Sequence, residues 1–206
     1  MTIGSPLERF DGWITGLGTS SGRRVVVGHW PESPLGSFTD VMTESPDGHR
    51  TLLAPSERVA EFVAATYTFD DVRVVDVVHT ARGDARQVLA GPLEVAWRLG
   101  PRPALGWLLR ALPGALATDP RWLAAIDPLV RRLQPGVRTA GSAGGGRREF
   151  YGARDLHRVT AVAGLWADDD LGRVAPLDPP VRFGFGSAPR LPAHVRITTL
   201  VGPTLT

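Results

Sequence analysis

Two regions of short, alternating apolar and polar runs flank a leucine- and tryptophan-rich stretch, and that order limits the folds open to this chain. In the first region, residues 23–30 (RRVVVGHW) read as a strand. Residues 38–44 and 50–53 flank Pro46-Asp47-Gly48, where proline presets φ and glycine accepts a positive φ, so a hairpin is predicted. Ser56 is placed as the cap of a helix whose Val59, Phe62, Val63 and Thr66 recur at helical spacing. Residues 72–79 (VRVVDVVH) return to a β-branched strand. A second hairpin, 86–90 and 93–98, turns at Gly91-Pro92, with Leu93, Val95 and Trp97 on one face.

The middle stretch, 101–135, is predicted helical. Leu105, Leu108, Leu109 and Leu112 form one stripe, while Trp122, Ile126, Leu129, Val130 and Leu133 form another. Asp119-Pro120 is a start signal, with the acid capping and the proline at the first helical position. Asp127-Pro128 repeats the signal, so a kink or a second short helix is expected there. Strands then resume at 136–140, 148–153, 157–166, 181–185 and 193–201. The expected class is α+β: a curved, mainly antiparallel sheet tending toward a partial barrel, with residues 1–206 as a single domain and 101–135 as a helical insertion. The regular βαβ alternation of a dinucleotide-binding domain is missing.

Composition removes whole classes of chemistry. The chain holds no lysine, no cysteine and no asparagine, and 23 arginines carry all of its fixed positive charge. Schiff-base catalysis, pyridoxal-phosphate attachment and the P-loop lysine go with the first absence. Thiol nucleophiles, disulfides and most structural zinc sites go with the second. Acetoacetate-decarboxylase-like proteins have a curved β architecture of this general type. The lysine their decarboxylation depends on does not occur here, so that activity is excluded whatever the fold. A net charge of +2 gives little steering toward nucleic acid, and neither RRM-like aromatic interleaving nor helix-turn-helix spacing is evident. Charge is nevertheless uneven: residues 97–158 carry eleven arginines against four acids. No apolar run is long enough to cross a bilayer, and the N-terminal residues have no secretory h-region, so a cytoplasmic setting is expected.

Candidate sites are weighed against plainer roles. Gly18-Thr19-Ser20-Ser21-Gly22 has the letters of a nucleophile elbow, but a helix-like stretch precedes it and a strand follows, so it reads as a loop. Gly141-Ser142-Ala143-Gly144-Gly145-Gly146, followed by Arg147 and Arg148, has the composition of an anion-binding nest or of a plain hairpin loop. The densest functional cluster runs from Glu149 to Arg158 and includes Tyr151, Arg154, Asp155 and His157. By parity, His157 shares the apolar face of Val159, Ala161, Ala163 and Leu165, and an inward Asp76 or a nearby Asp155 would complete an acid–base pair. His29 and Trp30 are placed at a cavity rim, and His79 and His194 on strands. The histidines lack zinc-ligand spacing, and Asp168-Asp169-Asp170 has Pro179 where a calcium loop needs glutamate. Phe183-Gly184-Phe185-Gly186-Ser187 reads as a bent strand or a flat contact surface.

The favoured function is binding of a small anionic or amphipathic molecule, without cofactor or metal, on a concave sheet face roofed by the helices. Arg147, Arg148, Tyr151, Arg154 and Trp30 are the expected ligand contacts. An acid–base enzyme using His157 with Asp76 or Asp155 is the alternative. A homo-oligomeric interaction module built on Trp107 and Trp122 is the other.

Overall fold

The structure, a computed structural model, describes residues 7–133, 137–143, 146–184 and 188–203. It is α+β: a curled, mainly antiparallel sheet forms a half-barrel accompanied by four helices. The strands are β1 (Glu8–Thr19), β2 (Arg24–Glu32), β3 (Phe38–Glu44), β4 (Arg50–Ala54), β5 (Asp71–Val74), β6 (Val77–Arg82), β7 (Ala85–Ala90), β8 (Leu93–Leu99), β9 (Ala140–Ala143), β10 (Arg147–Trp166), β11 (Asp169–Asp170), β12 (Val174–Ala175) and β13 (Ala193–Pro203). The helices are α1 (Glu57–Ala64), α2 (Ala104–Ala111), α3 (Gly114–Ala117) and α4 (Pro120–Leu133). The main path runs β5-β4-β3-β2-β1-β13-β10-β8-β7-β6, and the β4–β5 pair is parallel.

Local signals explain many of these boundaries. The Ser56 side chain accepts a bond from the Val59 amide and caps α1, whose Val59, Ala60 and Val63 are buried against the sheet. Asp119 Oδ1 accepts from the Arg121 and Trp122 amides at 2.7 and 3.0 Å, which starts α4. The second Asp-Pro does not break that helix. Asp127 instead accepts from the Thr139 amide (2.7 Å) and the Ala140 amide (3.2 Å), tying α4 to the start of β9.

Several expectations are corrected. The stretch before Gly18 is strand β1, held between β2 and β13, so pairing on both sides overrides its helix-like pattern. The valine run at 72–79 is two strands, because the chain leaves β4 at Val74 and joins the opposite end of the sheet at Val77. Residues 181–184 are not strand; Phe183 is buried 5.7 Å from the Phe69 ring. Phe185, Gly186, Ser187, Gly144 and Gly145 lie outside the described residues. In β10 a register irregularity between Val159 and Ala161 reverses the pleat. Val159 and Val162 are therefore buried while Ala161, Ala163 and Leu165 are exposed, contrary to simple alternation.

Alternation along the strands builds two cores. One face of the sheet carries Leu17, Val25, Val27 and Val41 into a core shared with Val88 of β7 and with Val95 and Trp97 of β8. The other carries Phe10, Ile14, Val26, Trp30, Tyr151 and Ile197 toward α1 and the loop around Leu177. Between its β9 pairing at 147–150 and its β8 pairing at 159–166, β10 has no strand partner on that side among the described residues. Helices α2, α3 and α4 pack along that gap. Gly152 permits the approach, since a Cβ there would overlap the Ala117 carbonyl.

On the sheet face that carries Leu17 and Val27, rings from five strands meet. The His29 and His79 centroids lie 4.1 Å apart; Trp13 stacks on His29 and His194 at 6.0 and 6.4 Å, and Trp97 lies 6.4 Å from His79. Burial lowers the pKa of all three imidazoles, to about 4 for His79 and about 3 for His194, with Arg86 adding repulsion. The unfolded chain, with histidines near 6.5, binds more protons below that value, so this cluster loses stability as pH falls from about 6.5 toward 3. His79→Gln is expected to flatten that loss, measured as unfolding free energy in urea at pH 7 and pH 4. An unchanged slope would show that the imidazole charges freely in the fold.

Candidate functional site

A chamber of about 270 Å³ lies between the helices and the sheet. Leu105, Leu109 and Leu112 from α2 and its exit, and Leu123, Ile126 and Val130 from α4, form the roof. Ile14, Tyr151, Ala153, Val195 and Ile197 form the floor. The floor residues Ile14, Tyr151 and Ile197 share a sheet face with Phe10, Val26 and Trp30, opposite the face that carries Leu17, Val25 and Val95. Arg138 is the one charged residue among the chamber's described lining, and makes no ion pair with the described residues.

Next to it, under α1, is a second chamber of about 40 Å³. Ile14 and Tyr151 line both spaces. Its walls include Phe10, Val26, Met42 and Phe62, and set among them are Asp40, Glu149, Tyr67 and Thr199. Trp30 Nε1 donates to Asp40 Oδ1 at 3.1 Å, and the Tyr67 hydroxyl donates to Glu149 Oε1 at 2.8 Å. Tyr67 and Tyr151, the chain's two tyrosines, hydrogen-bond to each other at 2.5 Å. Burial pushes both carboxyls up to about 7, and raises both phenols. Glycine at position 28 keeps the space open, because a Cβ there would lie 2.5 Å from Asp40 Oδ1.

The residues expected from sequence are distributed as follows. Tyr151 sits between the two chambers and Trp30 lines the smaller one. The Arg147 guanidinium lies 5.1 Å from the Phe62 ring, and that of Arg148 5.2 Å from Phe150. Arg154 approaches Asp11 at 4.0 Å. None of these three arginines lines the larger chamber; Arg138 does.

His157 Nδ1 donates to the Gly100 carbonyl at 3.0 Å, and Nε2 is 3.8 Å from Asp155 Oδ2. Asp155 is already gripped by Arg102 at 2.7 and 2.9 Å, bonds that lower its pKa and weaken it as a base. Its neighbour Leu156 lines the chamber; His157 does not. Asp76 is not brought to His157: it sits by Leu93, Leu165 and Ala167, at the far end of β10, about 30 Å away at roughly 3.3 Å per residue.

The remaining motifs are structural. Ser20 closes the β1–β2 turn, its hydroxyl accepting from the Arg173 amide at 3.0 Å, with no helix behind it. Asp170, at the end of β11, accepts from the Gly172 amide at 2.7 Å. No group of histidines and carboxylates among the described residues has metal-binding geometry. No helix among them is long and apolar enough to cross a membrane.

No family model and no curated protein matches the chain. Among solved structures it is similar to acetoacetate decarboxylase from Legionella pneumophila subsp. pneumophila str. Philadelphia 1. The TM-score is 0.44 and the identity 9%, covering 97% of this chain and 86% of that one.

Of the Asp40–Glu149–Tyr67–Tyr151 group, only Tyr151 was among the expected site residues. Glu149 and Tyr151 lay within the cluster singled out at 149–158. Asp40 and Tyr67 come from distant elements, and nothing in their neighbourhoods distinguishes them from ordinary strand and loop residues.

Proposed function

We propose that this protein binds a small, largely apolar molecule with a single anionic group in the helix-roofed chamber. The observation that carries the reading is the chamber itself: about 270 Å³ of recessed, almost wholly apolar space. An apolar cavity of roughly 150 Å³ is enough to hold a benzene-sized molecule. Arg138, the charged lining residue, supplies a fork of donors suited to a carboxylate. An apolar body with a few placed polar contacts is the usual composition of a ligand site.

Hexanoate, octanoate and decanoate are the probes, read by thermal shift and calorimetry. A ligand at a hundred times its Kd stabilises the fold by about 2.7 kcal/mol. For a chain of this length that amounts to a rise in Tm of roughly 5–10 °C. Ala153→Leu, which fills the floor, is expected to abolish the shift, and Arg138→Gln to weaken binding about tenfold through loss of the charged pair. If none of the three raises Tm, the reading fails.

A further inference from the structure

We propose that the smaller chamber receives a hydroxyl group at the far end of the bound molecule, held between Glu149 and Thr199. The inference rests on the reading above, since it assigns the second polar end of the same ligand. Two buried atoms carry it. Glu149 Oε2 and Thr199 Oγ1 have no hydrogen-bond partner, although their residues are 2% and 3% exposed and line the chamber. Buried polar atoms are almost always paired, so two orphans on one small cavity mark a place where a partner belongs.

Their placement follows from strand register. Across the β10–β13 pair Tyr151 opposes Thr199 and Glu149 opposes Val201, which makes Glu149 and Thr199 diagonal neighbours on one face. Such positions are roughly 7 Å apart at the backbone, and one intervening oxygen can bond both side chains. The carboxyl is preoriented, because Tyr67 holds its other oxygen and Tyr67 is tied in turn to Tyr151. At about 40 Å³ the space admits a head group and little more chain. Ile14 and Tyr151 line both chambers, so the two spaces adjoin at these side chains, and the proposed ligand would pass between them.

The chemistry selects a hydroxyl. It donates to the Glu149 carboxylate and accepts from the Thr199 hydroxyl, satisfying both orphans with one atom. A second carboxylate would be repelled by Glu149 and Asp40, both lining the same space. A bare methyl end would leave both atoms unpaired.

The test compares octanoate with its terminally hydroxylated and terminally aminated counterparts by calorimetry at pH 8. The hydroxylated chain is expected to bind about tenfold tighter than octanoate, the gain of a charge-assisted hydrogen bond. Thr199→Val and Glu149→Gln should each erase most of that preference. Thr199→Val removes only an unpartnered hydroxyl, so the fold is expected to survive it. Equal affinity of octanoate and its hydroxylated form means that the site holds water alone, and overturns the inference while leaving the proposed function standing. Tighter binding of the aminated chain also overturns it, by assigning a cation. Failure of every chain to bind sinks both.

Discussion

Glu44→Ala is expected to lower unfolding free energy by about 3–5 kcal/mol, the usual result of leaving a buried charge without its partner. Glu44 is fully buried, and Arg24, directly opposite it across β2–β3, is 2% exposed. Their nearest charged atoms are 3.3 Å apart. The Arg182 amide donates to Glu44 Oε2 at 2.8 Å and its guanidinium to Oε1 at 3.1 Å. Arg24 spends its remaining Nη donors on the Pro179 and Ser45 carbonyls at 3.0 and 2.9 Å, while its Nε is unpartnered. Removing Glu44 would thus strand a guanidinium that can neither reach water nor give up its proton. A typical fold has about 5–15 kcal/mol in all, so the variant loses between about a fifth and all of its stability. Midpoints of urea unfolding measure this. The double variant Arg24→Met/Glu44→Leu is the control: replacing both charges by apolar groups of similar volume should recover most of the loss. A loss under about 1 kcal/mol from Glu44→Ala would mean that water reaches the pair.

The contrast between what the residues announce and what they conceal follows from the range of the forces. Ser56, Pro46-Asp47-Gly48, Gly91-Pro92 and Asp119-Pro120 act over two to four residues, and each marks the turn or helix start expected of it. Leu93, Val95 and Trp97 point inward as their alternation implies. The misreadings come where a distant partner decides. The parity of β10 reverses because of its irregular pairing with β8, which no local pattern contains. The valines around Asp76 divide because β4 takes one half and β7 the other. The candidate site suffers most from this. Arg138 comes to the chamber through helix packing, and Asp40 meets Glu149 only because three strands intervene in the right order. The roofed hollow was legible from the stripes of α2 and α4, whereas its polar contacts depend on register.

Asp40→Asn is expected to stabilise the protein at neutral and alkaline pH and to leave it unchanged in acid. Burial raises the Asp40 carboxyl from 3.8 to about 7, against the smaller lowering effect of its bond from Trp30. Between about pH 4 and 7 the folded state therefore holds a proton that the unfolded state has released. Stability falls as pH rises through that window and levels off above it. A shift of about three units corresponds to a ceiling of about 4 kcal/mol at pH 8, and relaxation of the site will reduce it. Asparagine keeps an oxygen for Trp30 Nε1, so the variant sheds the charge and retains the bond. The histidine cluster titrates in part of the same range with the opposite sign. It is present in both proteins and cancels in their difference. Unfolding free energies from pH 4.5 to 8 give that difference directly, and a curve flat in pH would refute the shift. Groups that cost stability are commonly found at functional sites. Asp40 lines the small chamber together with Glu149 and Thr199, the residues of the hydroxyl site proposed above.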